Sequence, residues 1–162
     1  MKQIITFTDS NWYVSSTVKL SYGNKANGII IYNPIELNFN SKLKPVNKIV
    51  NIGLVANLLG YKGINYFIKS YDYLPKNINH QITYNIFGDG PSKHNLMCLS
   101  NNNENIIFHG FKPDKEFYNY IDILVCPSIE EEAFSLVIFE ATKNSIPVIA
   151  TNLKVHREFF SN

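Results

Sequence analysis

The chain has 162 residues, enough for a domain with a sizeable core, and its apolar content of 45% is ordinary for a globular protein. A formal net charge of +2, with the lysines scattered and a single arginine at Arg157, excludes the basic stripe that nucleic-acid binding needs. Two cysteines without disulfide or metal spacing make a reducing, cytoplasmic setting the expectation, and since no apolar run approaches bilayer length and the first residues lack the apolar stretch of a signal peptide, any membrane association is expected to be peripheral at the inner face.

Residues 3–8 alternate like a short strand, residues 10–20 suit a helix capped by Asp9 or Ser10, and residues 28–32 read as a second strand, together a β-α-β piece. Asn33-Pro34 breaks the chain, and the polar stretch 38–47 with Pro45 reads as a linker. Two domains are therefore expected, residues 1–45 and residues 46–162. From residue 48 strands and helices alternate. Strands are expected at 49–56, 81–87, 105–109, 123–127 and 146–151, and helices at 63–73, 92–100, 114–120 and 133–143. Apolar β-branched strands separated by helices specify an α/β, Rossmann-like parallel sheet with helices on both faces. Cys98 and Cys126 lack metal-ligand spacing, and both are expected to be buried free thiols. His80, His94 and His156 have no flanking ligand pattern, Asp-x-Asp is absent and so is Gly-x-Ser-x-Gly, so no metal, cofactor or covalent nucleophile is expected.

The segment PSIEEEAFSLVIFEATKNSIPVIAT, residues 127–151, places Glu132 and Glu140 on either side of a strand-to-helix junction. Leu136, Val137, Ile138, Phe139 and Ala141 leave the helix almost no polar side, so the Glu140 carboxylate needs hydrogen-bond donors. A pair of sugar hydroxyls is one such set, and a lysine or histidine partner is another. Glu132 precedes the helix, where the N–H groups of Phe134 and Ser135 are expected to be open to an anion and where small residues, Ala133 and Ser135, allow close approach. Glu130 and Glu131 repel a diphosphate there, which favours hydroxyls as the partner of Glu132. Stabilisation of the helix dipole alone would select the same three glutamates.

The order PS, acidic stretch, Glu132-Ala-Phe-Ser-Leu, Glu140-Ala and Pro147-Val-Ile-Ala resembles the E-x7-E signature of family 4 (group 1) retaining glycosyltransferases of the GT-B fold. NIGLVANLLGYKG (51–63) resembles that family's first strand and phosphate loop, YNIFGDGP (84–91) its second strand and glycine-rich turn, NIIFHGF (105–111) its third strand and YNYIDILVCPS (118–128) its fourth. GIIIYNPIELNF (28–39) resembles the crossing from the acceptor-side domain. The resemblance runs over about residues 29–158. It implies the C-terminal, nucleotide-sugar-binding half of such an enzyme with both flanks cut, residues 1–45 being a remnant of the acceptor side.

The resemblance also assigns roles. Lys62 would neutralise the donor diphosphate, Glu132 would hold the transferred sugar and Glu140 the ribose, with Ala133, Phe134 and Ser135 beside the donor. Asn57 stands where many members carry an arginine and offers hydrogen bonds without charge. Gly53 and Gly63 suit close approach of backbone to ligand, Gly88 and Gly90 a turn beside the nucleotide, and His109-Gly110-Phe111 the loop against the base, although strand ends and turns require glycine in any case. Ser128 caps or belongs to the signature. Ser145 and Leu153-Lys154 depart from the glycines usual in the family. The implied function is transfer of a sugar from a nucleotide diphosphate sugar to a glycan or lipid-linked acceptor in polysaccharide biosynthesis, with a possible separate acceptor-domain chain as partner. The alternative is a truncated, inactive nucleotide-binding or assembly module that needs a partner chain.

Overall fold

The computed structural model describes residues 11–23, 28–33, 49–113, 116–130 and 132–160. In chain order the elements are strand β1 (Trp12–Tyr13), helix α1 (Ser16–Ser21), β2 (Ile29–Ile30), β3 (Val50–Val55), α2 (Ile64–Ser70), β4 (Ile82–Phe87), α3 (Lys93–Leu99), β5 (Ile106–Gly110), β6 (Ile123–Cys126), α4 (Leu136–Lys143), β7 (Val148–Ala150) and α5 (Lys154–Phe160). Two compact units result: residues 37–130 with 136–151, and residues 1–36 with 131–135 and 152–162.

In the larger unit five strands form one parallel sheet in the order β5-β4-β3-β6-β7. Alternation along each strand sends successive side chains to opposite faces. Ile52 and Leu54 of β3 therefore join Ile82, Tyr84 and Ile86 of β4 and Ile106 and Phe108 of β5 on one face, where Ile64, Phe67 and Ile68 of α2 and Leu96 of α3 cover them. Val55, Phe87, Leu124, Cys126, Val148 and Ala150 point the other way, beneath Ile138 and Ala141 of α4 and the 3-10 turn Glu116–Tyr120. Both faces are thus covered by helical segments, the arrangement expected from near-continuous apolar strands. Each fully buried Ile or Leu here contributes about 1.5–3 kcal/mol. Tyr84 lies between Phe67 (stacked, 4.3 Å) and Tyr71 (edge-on, 5.1 Å), its hydroxyl hydrogen-bonded to the Ser70 hydroxyl at 3.0 Å.

The smaller unit pairs β1 with β2 in parallel, Trp12 opposite Ile29 and Tyr13 opposite Ile30. The expected helix over residues 10–20 is thus shortened from its start. Trp12 and Tyr13, which favour extended backbone, find a strand partner, and the helix begins only after Ser15, whose backbone is extended (φ −159°, ψ 162°) and whose hydroxyl accepts from Val18 N at 3.2 Å. Ser15 is fully buried. The Glu158 carboxylate, on α5, completes this helix start, accepting from Ser16 N at 2.8 Å, Thr17 N at 3.2 Å, Thr17 Oγ1 at 3.2 Å and Tyr32 Oη at 2.9 Å. Burial raises the Glu158 pKa, but the bonds from Ser16, Tyr32 and Thr17 outweigh it and hold the carboxyl below its ordinary value. The expected strand at 3–8 and the linker at 38–47 lie outside the described residues.

Cys126 is buried in β6, whereas Cys98 is exposed on α3, contrary to the expectation of two buried thiols. Leu96, two positions earlier, faces the core, which turns Cys98 outward on a helix. Among the described residues no helix is long and apolar enough to cross a membrane.

Candidate functional site

The strand order reverses between β3 and β6, so the chain leaves these neighbours in opposite directions and opens a crevice at their carboxyl ends. Two of the segments singled out in the sequence follow those ends, residues 56–63 after β3 and residues 127–130 after β6. They meet. Ile129 N donates to Tyr61 O at 2.9 Å, and Gly63, with φ +69°, lies so close to Pro127 that a Cβ would fall on the Pro127 carbonyl carbon and oxygen. Only glycine combines that backbone with that contact.

The neighbouring strand ends are joined in the same way. Ala56 N donates to Phe87 O (3.1 Å), Leu58 N to Asp89 O (2.9 Å), Ser92 N to Leu58 O (3.1 Å) and Gly88 N to Gly110 O (2.8 Å). A Cβ at Gly88, whose φ is +128°, would strike the Ala56 carbonyl. The loops after β3, β4 and β5 therefore form one continuous backbone ridge, which contains Asn57, Gly88 and Gly110. Lys62 closes the 3-10 turn Gly60–Lys62, partly buried, with its Nζ 5.3 Å from the centre of the Tyr61 ring. Asn57 is exposed on the same loop and brings no charge. Phe111 is 72% exposed, an apolar ring held up at the end of β5. Gly53, by contrast, is an interior position: Ile121 fills the space of its missing Cβ, so the core side chain requires a glycine there.

His109, just before Gly110, is fixed on two sides. Its ring stacks on Phe87 (4.4 Å, 8° between planes), and its Nε2 is hydrogen-bonded to Asn85 Oδ1 at 2.8 Å. Asn85 Nδ2 donates to Asn51 Oδ1 at 3.4 Å, and Asn51 N and Nδ2 donate to Asp122 Oδ2 at 2.8 and 3.3 Å. A row of polar side chains thus crosses three strands from His109 to the Asp122 carboxylate. Burial, and then the charge of Lys112, lowers the His109 pKa and favours the neutral ring.

Glu140 lies in the middle of α4, partly buried, where Tyr118 Oη donates to its Oε2 at 2.8 Å. Its carbonyl accepts from Asn144 Nδ2 at 2.8 Å. A tyrosine is thus one donor to this carboxylate. Tyr118 was missed in the sequence. Its signal was a tyrosine ahead of an apolar strand, since a buried phenol needs a hydrogen-bond partner.

Glu132, Ala133, Phe134 and Ser135 belong to the smaller unit. Glu132 and Phe134 are partly buried, Ala133 is exposed and Ser135 is buried. The expected start of the helix at residue 133 is corrected to Leu136. The Ala133 carbonyl accepts from the Ser15 hydroxyl at 2.7 Å, so this stretch is anchored as a loop before the helix and the N–H groups of Phe134 and Ser135 precede the first turn. Among the described residues no group of His, Cys, Asp and Glu is arranged to hold a metal ion.

The family model for glycosyl transferases group 1 matches residues 35–162. The O-antigen biosynthesis glycosyltransferase WclY of Escherichia coli is 37% identical over 144 residues, an alignment covering 81% of this chain and 39% of WclY. The chain thus spans about two fifths of that relative. Among solved structures, Anabaena HepE, crystallised with UDP and glucose, superposes with a TM-score of 0.78 at 22% identity, over 94% of this chain and 47% of HepE. A Staphylococcus aureus TarM mutant, crystallised with fondaparinux, alpha-GlcNAc-glycerol and UDP, also gives 0.78, at 17% identity, over 94% of this chain and 32% of TarM. The parallel sheet is that of the GT-B fold. With the family model spanning both the ridge of strand-end loops and the two glutamates of the E-x7-E pattern, this chain belongs to the group 1 glycosyltransferases.

Proposed function

We propose that the chain is the donor-binding part of a retaining glycosyltransferase that takes a nucleotide diphosphate sugar and delivers the sugar to a glycan or lipid-linked acceptor during surface polysaccharide synthesis. The observation that carries this reading is the joining of the loops after β3 and β6 at the strand-order reversal, which holds Lys62 on a fixed turn. A lysine there neutralises the diphosphate of the donor and the charge that grows on it as the sugar departs. Glu140 holds the ribose hydroxyls and Glu132, eight positions earlier in the sequence, the hydroxyls of the transferred sugar. Gly88, Gly110 and Phe111 border the nucleotide, the exposed Phe111 ring offering a surface for a base. No metal or cofactor enters this scheme, and catalysis rests on positioning and charge stabilisation. Support comes from WclY, named as an O-antigen biosynthesis glycosyltransferase, and from HepE, crystallised with UDP-glucose.

Asn57 favours a second reading, in which the chain binds nucleotide without transferring sugar, because an exposed amide replaces the cation expected beside Lys62. Calorimetry against uridine, guanosine and adenosine diphosphate sugars, followed by a transfer assay with and without a partner chain, separates the two. Binding that weakens about tenfold or more in Lys62→Ala supports the donor site. Binding without turnover under every partner favours the second reading, and no binding at all refutes both.

A further inference from the structure

The bond between Tyr118 and Glu140 has chemical consequences for a carboxylate that is to receive sugar hydroxyls. A glutamate in the middle of a helix has three rotatable bonds and points at a ligand only if something holds it. Tyr118 is 1% exposed, and its hydroxyl donates to Glu140 Oε2 at 2.8 Å. The tyrosine is itself braced. Its ring packs on Phe117 (4.6 Å, 40°), Phe117 stacks on Phe87 (4.8 Å, 23°) and Phe87 stacks on His109 (4.4 Å, 8°), so a line of rings runs from the end of β5 to the Glu140 carboxylate.

The identity of the partner also matters. A phenol orients the carboxylate by donating a hydrogen bond while bringing no positive charge of its own. Burial, then the charge of Glu140 and the bond to it, raises the Tyr118 pKa far above the ordinary phenol value, so the proton stays on the donor.

We propose that Tyr118 is a positioning residue for the donor site, holding the Glu140 carboxylate in the orientation that receives the vicinal hydroxyls of the ribose. The proposal rests on the reading of Glu140 as the ribose-binding residue. It explains why a fully enclosed tyrosine stands beside the one carboxylate of α4, on the face of the sheet that also carries His109.

The test is calorimetric, on the 162-residue chain, with whichever of UDP, GDP or ADP binds and with its 2′,3′-dideoxy counterpart. The quantity read is the ratio of the two dissociation constants. In Tyr118→Phe, which keeps the ring and its packing, the ribonucleotide is expected to bind about 10-fold more weakly while the dideoxy nucleotide binds as to the parent, so the ratio collapses. Replacement of Tyr118 by 4-aminophenylalanine, which restores an N–H donor, should recover most of the ratio and carries the test if the phenylalanine variant does not fold. Glu140→Ala should abolish the ratio. An unchanged ratio in Tyr118→Phe with a lost ratio in Glu140→Ala overturns the positioning role and leaves the ribose reading standing. Equal weakening of both nucleotides in Tyr118→Phe, or no recovery with 4-aminophenylalanine, also overturns it, since that is what a packing defect produces. A parent-like ratio in Glu140→Ala, or no binding of any of the three nucleotides, refutes the ribose reading and the proposal with it.

Discussion

Replacing Gly63 by alanine tests whether the junction of the two strand-end loops is as tight as its geometry indicates. Two costs separate cleanly in this protein. At φ +69° an alanine adopts the left-handed region, at about 1 kcal/mol or somewhat more. The new Cβ also lands on the Pro127 carbonyl, and relieving a backbone clash of this kind costs a further 1–3 kcal/mol or so. The sum is about 3 kcal/mol, which corresponds to ~6–12 °C of melting temperature for a chain of this length. Gly110→Ala is the control, with nearly the same φ of +70° in the same unit but no neighbour nearer than Lys93 Nζ at 3.9 Å. It should show the backbone cost alone, about 1 kcal/mol or ~2–4 °C. Gly60→Ala, with ordinary φ and nothing within 4 Å, should be neutral or gain a few tenths of a kcal/mol. Urea and thermal unfolding followed by far-ultraviolet circular dichroism read all three. If Gly63→Ala costs no more than Gly110→Ala, the loops after β3 and β6 yield freely, and the fixed turn assigned to Lys62 loses its foundation.

The remaining predictions concern other places in the fold. Glu158 carries a lowered pKa in the folded state, so its contribution is present above its ordinary value of 4.5 and disappears as the pH falls through the lowered folded value. Acid titration of unfolding should show this loss in the parent and not in Glu158→Gln, and a parent without it would contradict the capping of α1. His109 should titrate below its ordinary 6.5 when followed by NMR, and Lys112→Ala should move it upward. The neutral ring is favoured by folding, so this group lowers stability as the pH falls through 6.5, and a His109 titrating at or above that value would refute its burial. Asp122→Ala leaves the Asn51 N–H without its acceptor and should cost about 1–3 kcal/mol in urea unfolding, whereas a change under 0.5 kcal/mol or so would show the bond to be dispensable.

Much of the larger unit was legible in the sequence because its signals are local. Strands β3 to β6 fall within one or two residues of their expected positions, since runs such as VNIGLV and ITYNIF combine β-branched residues with flanking turns. The loops at the strand ends were legible for the same reason, Gly63 and Gly88 standing where chain reversals need glycine. Errors gathered where a partner distant in sequence decides the outcome. Trp12 and Tyr13 became a strand because Ile29 and Ile30 lie beside them, and α5 was not foreseen although its Glu158 caps α1 from 142 positions away. The same holds for the start of α4, where the Ser15 hydroxyl, 118 positions off, takes the Ala133 carbonyl.

The alternation of apolar runs and glycine turns determined by itself that this chain forms a parallel α/β sheet, and the spacing of Glu132 and Glu140 carried the resemblance that singles them out. Periodicity and composition act over a few residues, so a linear string displays them fully. Only the tertiary structure decided that β6 lies against β3 and brings Pro127 onto Gly63, that Ile121 occupies the space beside Gly53, and that Tyr118 holds Glu140. Each of these is a contact between separate stretches of chain, selected by packing and by the need of every buried polar group for a partner, and no local pattern encodes it.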